Sequence, residues 1–126
     1  MSEWTLEDRF WNKKHTLECF IMKCTYGGLT TLGAEHHYTA YVALPKGHRY
    51  YGRDYEKIRL DVHGGFTYSR DYLILSDDKE NRIKDSRWFI GWDYAHAWDK
   101  NITFKQVLID CLAIIKKLER GIEKHE

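Results

Sequence analysis

The segment Lys57-Ile58-Arg59-Leu60-Asp61-Val62 alternates polar and apolar residues without a fault. That period predicts a strand with Ile58, Leu60 and Val62 facing a core and Arg59 and Asp61 facing outward. Thr16 to Cys24 is rich in β-branched and aromatic residues and stops at Tyr26-Gly27-Gly28, and Tyr38 to Leu44 repeats the theme until Pro45, which has no amide to give a ladder. Phe66 to Ser69, Tyr72 to Leu75 and Arg87 to Trp92 read as further strands, set apart by the charged turn Ser76-Asp77-Asp78-Lys79-Glu80-Asn81. The period then changes: Val107, Cys111, Ile114, Ile115, Leu118 and Ile122 recur at helical spacing with lysines and acids opposite. Thr103 followed by Gln106 starts a helix from about Phe104 to Lys124 as a capping box. At the other end, Trp4 to Lys14 reads as a short helix capped by Thr5, with Asp8 at the box position and Trp4, Phe10 and Trp11 turned to the body. The sum is an α+β fold in a single domain over 1–126: an antiparallel sheet of about five or six strands with a long C-terminal helix packed on one face.

Composition narrows the function classes. The 126 residues include 43% hydrophobic and 15% aromatic positions with one proline, which predicts order nearly end to end. Twenty lysines and arginines against 19 acids leave a formal net charge of +1, so no global field favours direct DNA binding or mimicry of a polyanion. There is neither a leader pattern at Met1-Ser2-Glu3-Trp4 nor an apolar run long enough to span a membrane, and the expected location is the cytoplasm. Cys19, Cys24 and Cys111 match no disulfide or Cys-x-x-Cys framework. On a strand Cys19 and Cys24 differ in parity, so they point to opposite faces and do not share an ion.

Three ordered blocks carry a resemblance: Tyr41-Val42-Ala43-Leu44-Pro45-Lys46-Gly47-His48-Arg49-Tyr50-Tyr51-Gly52-Arg53-Asp54-Tyr55, then Val62-His63-Gly64-Gly65-Phe66-Thr67-Tyr68-Ser69, then Trp88-Phe89-Ile90-Gly91-Trp92-Asp93-Tyr94-Ala95-His96. Over about Leu17 to Asp99 the chain resembles small proteins carried by phages and prophages, and with them metal-binding anti-CRISPR proteins of the kind that inhibit Cas9. The resemblance implies a counter-defence protein in the cytoplasm of a host cell, a bound metal, and a Cas nuclease as partner. One departure stands out: where relatives usually carry cysteine between the aspartate and the alanine-histidine pair, this chain has Tyr94. A zinc thiolate is thereby excluded at that position, and the expected site survives through the flanking Asp93 and His96.

Imidazole nitrogens and carboxylate oxygens are ordinary zinc ligands, and His48, His63, Asp93 and His96 stand beside strand ends and glycines where separate loops converge. Four such ligands would close a structural shell that pins three loops. The competing reading is that His63 and His96 tie loops to backbone carbonyls while Asp93 accepts turn amides. No local zinc signature decides between the two. His36-His37 is a poorer pair because neighbours on a strand face opposite ways.

Between Lys46 and Arg59, cations alternate with aromatic rings, and Arg49, Tyr50, Tyr51, Arg53 and Tyr55, with Trp98 beyond His96, are the candidate partner contacts. The plainer alternative is a solvated loop with its tyrosines turned inward. Trp88, Ile90 and Trp92 share a strand face, and at least Trp88 and Ile90 are expected beneath the C-terminal helix. The first functional expectation is a non-enzymatic binding protein, organised by zinc, that docks on a Cas nuclease. A second is an oligomeric sponge that sequesters a nucleotide immune signal in pockets built from Arg49, Arg53, Tyr50 and Tyr55. A third is a hydrolase of such nucleotides, with His63 and His96 exchanging protons and Asp93 orienting one of them.

Overall fold

The computed structural model describes residues 2–27, 34–96 and 101–121. Its elements are β1 (Ser2–Trp11), β2 (Glu18–Gly27), β3 (Ala34–Leu44), β4 (Tyr68–Arg70), β5 (Leu73–Ile74), β6 (Arg82–Ile83), β7 (Trp88–Asp93) and α1 (Phe104–Glu119), with one 3-10 turn at Tyr55–Lys57. Five strands form an antiparallel sheet in the order β1-β2-β3-β7-β4, while β5 and β6 form a separate hairpin. The α+β class is therefore as expected. No helix among the described residues is long and apolar enough to cross a membrane.

Strand parity sorts the side chains into two cores. Cys19, Ile21, Ala40, Val42, Leu44, Ile90 and Trp92 face α1, which contributes Val107, Cys111, Ile114, Ile115 and Leu118. Phe20, Ala43 and Phe89 point the other way and pack on Leu73 of the hairpin, with Ile83 at the edge. All three cysteines are buried free thiols, and Cys24, three residues beyond the helix-facing Ile21 and five beyond Cys19, points to the opposite face. The helix begins where the capping pattern places it, with the Thr103 side chain accepting from the Gln106 amide. Ile122 and the last residues of the expected helix lie outside the described residues.

Two expected elements come out differently. The N-terminal stretch is the edge strand β1 and not a helix. A bulge at Glu7 interrupts its register: Trp4 and Leu6 pair with Cys24 and Met22 on one face, whereas Phe10 pairs with Cys19 and reaches the helix side. That parity change spaces Trp4, Phe10 and Trp11 like a helical stripe. The segment 57–62 has the expected inward residues, with Ile58 in the core and Leu60 and Val62 against it, but it belongs to no ladder. It lies in the same layer as α1, and the Arg59 amide goes to the Tyr50 hydroxyl, 3.3 Å away.

Gly91 shows why a central strand tolerates a residue without a side chain. A Cβ there would run into the Tyr41 ring and stand 2.7 Å from the Ala40 carbonyl oxygen. The missing side chain lets Tyr41 lie across β7 and meet Tyr68 edge-on at 5.1 Å.

Candidate functional site

His48 lies beneath the end of α1. Its ring is buried, Nε2 donates to the Leu118 carbonyl oxygen at 2.8 Å, and Nδ1 accepts from the Tyr50 amide at 3.1 Å. Both ring nitrogens are thereby committed to backbone groups. The Arg49 amide adds a 2.9 Å bond to the Gly121 carbonyl oxygen, and a Cβ on Gly121 would stand 2.7 Å from the His48 ring. The loop and the helix terminus fit together because position 121 has no side chain.

Asp93 sits on the opposite face of the sheet from α1, in phase with Phe89, and pairs across β3 with Thr39. Its carboxylate accepts from the Thr67 hydroxyl at 3.2 Å and from the Ala95 amide at 3.1 Å. It is the acid that acts electrostatically on His37.

His63 and His96 are brought together, with ring centroids 6.0 Å apart. His63 stacks on Tyr94 at 4.5 Å, and Gly64, at φ 71°, leaves the space that the His96 imidazole fills. Tyr94 is the centre of this corner. Its hydroxyl donates to Asp110 Oδ2 at 2.6 Å and accepts from Trp92 Nε1 at 3.0 Å. Burial, reinforced by the Asp110 carboxylate, pushes the Tyr94 phenol well above its ordinary range.

The four residues of the expected zinc shell are not all brought together: His48 is bonded to Leu118 and Tyr50, Asp93 is on the far face, and of the four only His63 and His96 lie near one another. Among the described residues, no group of three or more His, Cys, Asp or Glu side chains is placed to hold one ion. Strand parity separates Asp93 from the helix side, and the helix terminus claims His48.

The His48 arrangement has a pH consequence. Burial holds its pKa below the usual histidine value, the Leu118 carbonyl partly offsets this, and the Arg49 charge adds to the lowering. Below about pH 6.5, the unfolded chain takes up a proton that the folded state resists, so stability is full above that value and falls as the pH drops toward the folded pKa. The urea midpoint is expected to fall between about pH 7 and pH 5, and to fall less in His48→Gln. Burial lowers the His37 pKa as well. His37 is retained in both proteins, so the difference between the two curves reports His48; parallel curves would rule it out.

The loop from Lys46 to Arg59 carries the candidate partner residues. Arg49, Arg53 and Tyr55 are exposed and Tyr51 is half-buried. Tyr50 is not available to a partner, because it is buried in the helix-side core with the Arg49 guanidinium over its ring at 5.2 Å. Trp98 lies outside the described residues. Every turn of the loop is tied down: the Tyr51 hydroxyl donates to the Ser86 carbonyl oxygen at 2.6 Å, Trp88 Nε1 to the Arg53 carbonyl oxygen at 2.9 Å, and the Tyr55 amide to Ser69 Oγ at 3.0 Å.

Three cavities adjoin these features. One of about 320 Å³ is lined by Arg49, Tyr50, Arg59, Leu60, Asp61, Lys117, Leu118, Arg120 and Gly121. Of the four residues expected to build a nucleotide pocket, Arg49 and Tyr50 line it and Arg53 and Tyr55 do not. A second, of about 360 Å³, runs between Asp61, Val62 and His63 and the α1 residues Gln106, Asp110 and Lys117. A third, of about 390 Å³, opens under the hairpin, walled by Trp4, Tyr41, Tyr68 and Tyr72. No sequence motif announces the last two, because their walls come from segments far apart in the chain. In comparisons with known proteins, the chain matches no family model, no curated protein and no solved structure.

Proposed function

We propose that this chain acts by binding: a counter-defence protein that docks the loop 46–59 on a host Cas nuclease and blocks it. The words counter-defence and Cas rest on the resemblance of the three sequence blocks to phage and prophage proteins. The observation that supports a binding role is the way the loop is held. His48, Tyr50, Tyr51, the Arg53 carbonyl and the Tyr55 amide are all spent on the body of the protein, while the side chains of Arg49, Arg53, Tyr55 and Lys57 face solvent.

A surface ordered before contact loses little conformational freedom on binding. Arginine and tyrosine are the residue types that dominate interface energetics. The exposed loop residues Lys46, Arg49, Arg53, Lys57 and Arg59 outnumber Asp54 and Glu56, so the matching patch on the partner is acidic. No metal is part of this reading.

The test is a DNA cleavage assay with a purified Cas9–guide complex, titrated with this protein. Cleavage is expected to stop near stoichiometric addition. Arg53→Ala and Tyr55→Ala are each expected to raise the required concentration about tenfold, the loss of one interface anchor. Both side chains point to solvent, so melting temperatures should be unchanged. Full cleavage at large molar excess, together with no complex on a sizing column, would remove this reading.

A further inference from the structure

The cleft at the C-terminal end of α1 is locally basic. Acids and bases almost cancel over the whole chain. Around this cavity of about 320 Å³, Arg49, Arg59, Lys117 and Arg120 meet a single carboxylate, Asp61. Some cations elsewhere are paired: Arg9 and Arg87 with Glu18, Lys84 with Asp71, Lys23 with Glu7. None of the four cleft cations forms an ion pair with a described residue.

A simpler role would be to complement the helix dipole, whose C-terminal end carries about half a negative charge. That is too little for four cations. The carbonyl oxygens of Leu118 and Gly121 are also already taken, by His48 Nε2 and the Arg49 amide. The surplus is held in place by three segments that meet here. Arg49 lies on the Tyr50 ring, the Arg59 amide is bonded to the Tyr50 hydroxyl, and Gly121 is packed against His48 and the Arg49 side chain.

We propose that this cleft binds a small anion carrying two or more phosphate groups. Guanidinium groups pair bidentately with phosphate oxygens, and an ammonium supplies a compact charge between them. The cleft offers nothing for a nucleobase: Tyr50, the aromatic ring in its lining, is buried and covered by Arg49. It therefore reads the phosphates and not what they are attached to. The cleft shares Arg49 and Arg59 with the docking loop, but Arg53 and Tyr55 lie outside it, so variants at those two positions separate the two readings.

The experiment is isothermal titration of the full chain with inorganic pyrophosphate, at ionic strength held constant with sodium chloride. Saturable binding at one site per chain is expected. Arg59→Ala and Lys117→Ala should each weaken it about tenfold, and Asp61→Asn should strengthen it, with Arg53→Ala as an unaffected control. All of these positions are exposed, and a melting curve without ligand confirms that each variant is folded. A nucleoside diphosphate is expected to bind within a fewfold of pyrophosphate. No saturable heat, or affinity unchanged in Arg59→Ala and Lys117→Ala, would overturn the site. A large preference for the nucleoside diphosphate or for a single-stranded oligonucleotide would overturn its restriction to small phosphates.

Discussion

Replacing Tyr94 with alanine is expected to lower the stability of the fold by about 4 kcal/mol. The residue is 1% exposed, so the substitution empties a ring-sized volume in the helix-side core. Truncating a buried aromatic to alanine costs about 3–5 kcal/mol in transfer and cavity terms. The Trp92 indole then loses its acceptor in a site that water does not reach. Asp110, half-buried at the edge of a cavity, rehydrates at smaller cost. Against a total of about 5–15 kcal/mol for a domain of this kind, such a loss is severe. Tyr94→Phe keeps the ring on His63 and removes only the hydroxyl, and about 1–2 kcal/mol is expected. Urea titrations followed by circular dichroism separate the two. Equal losses would mean that the ring contributes little and that the hydrogen bonds hold the corner.

The same residue shows how far a likeness in sequence can be carried. Tyr94 stands where the resemblance leads one to expect cysteine, and the position invites a reading in terms of ligands. In the fold it is a packing and hydrogen-bonding residue that joins β7 to α1 through Asp110 and carries His63 on its face. Of the four expected ligands, His63 and His96 do meet, as their place beside glycines and strand ends suggests. His48 and Asp93 do not join them, for reasons that are three-dimensional. The first depends on where a helix ends in space, and the second on the phase of β7. Phase is readable from the sequence: Trp88, Ile90 and Trp92 share one face, which puts Asp93 on the other.

Legibility of the fold follows the same line. Strands β2, β3 and β7 and the helix were visible because each carries its own period and its own stop signals. β1 was not, since the bulge at Glu7 shifts its alternation in mid-strand. Its pairing with β2 is a tertiary fact that no local propensity encodes. β6 has two residues and no period at all. At 57–62 the pattern gave the correct inward face and the wrong element, because alternation reports burial on one side and says nothing about whether a neighbouring strand is there to pair.

Glu18 shows what the strand pattern hides, and its removal is expected to be the costliest change on the surface opposite the helix. It opens β2 with its side chain buried, between Arg9 Nε at 2.6 Å and Arg87 Nη1 at 2.7 Å. Ala43 of β3, its cross-strand neighbour, is small enough for Arg87 to reach over from the start of β7. Asp85 holds the other side of Arg87 at 2.9 Å, and the guanidinium lies over the Trp11 and Phe89 rings. One carboxylate thus joins three strands of the sheet. Removing one partner of a buried ion pair costs about 3–5 kcal/mol when the other charge stays buried. Here the side chains of Arg9 and Arg87 are 42% and 17% exposed and partly regain water, so about 2–3 kcal/mol is expected for Glu18→Ala. Arg9→Ala leaves Glu18 paired with Arg87, and its effect should stay below about 1 kcal/mol. Urea midpoints of the two variants test this order. If Arg9→Ala costs as much as Glu18→Ala, the outer cation carries the network and the account of Glu18 as its centre is wrong.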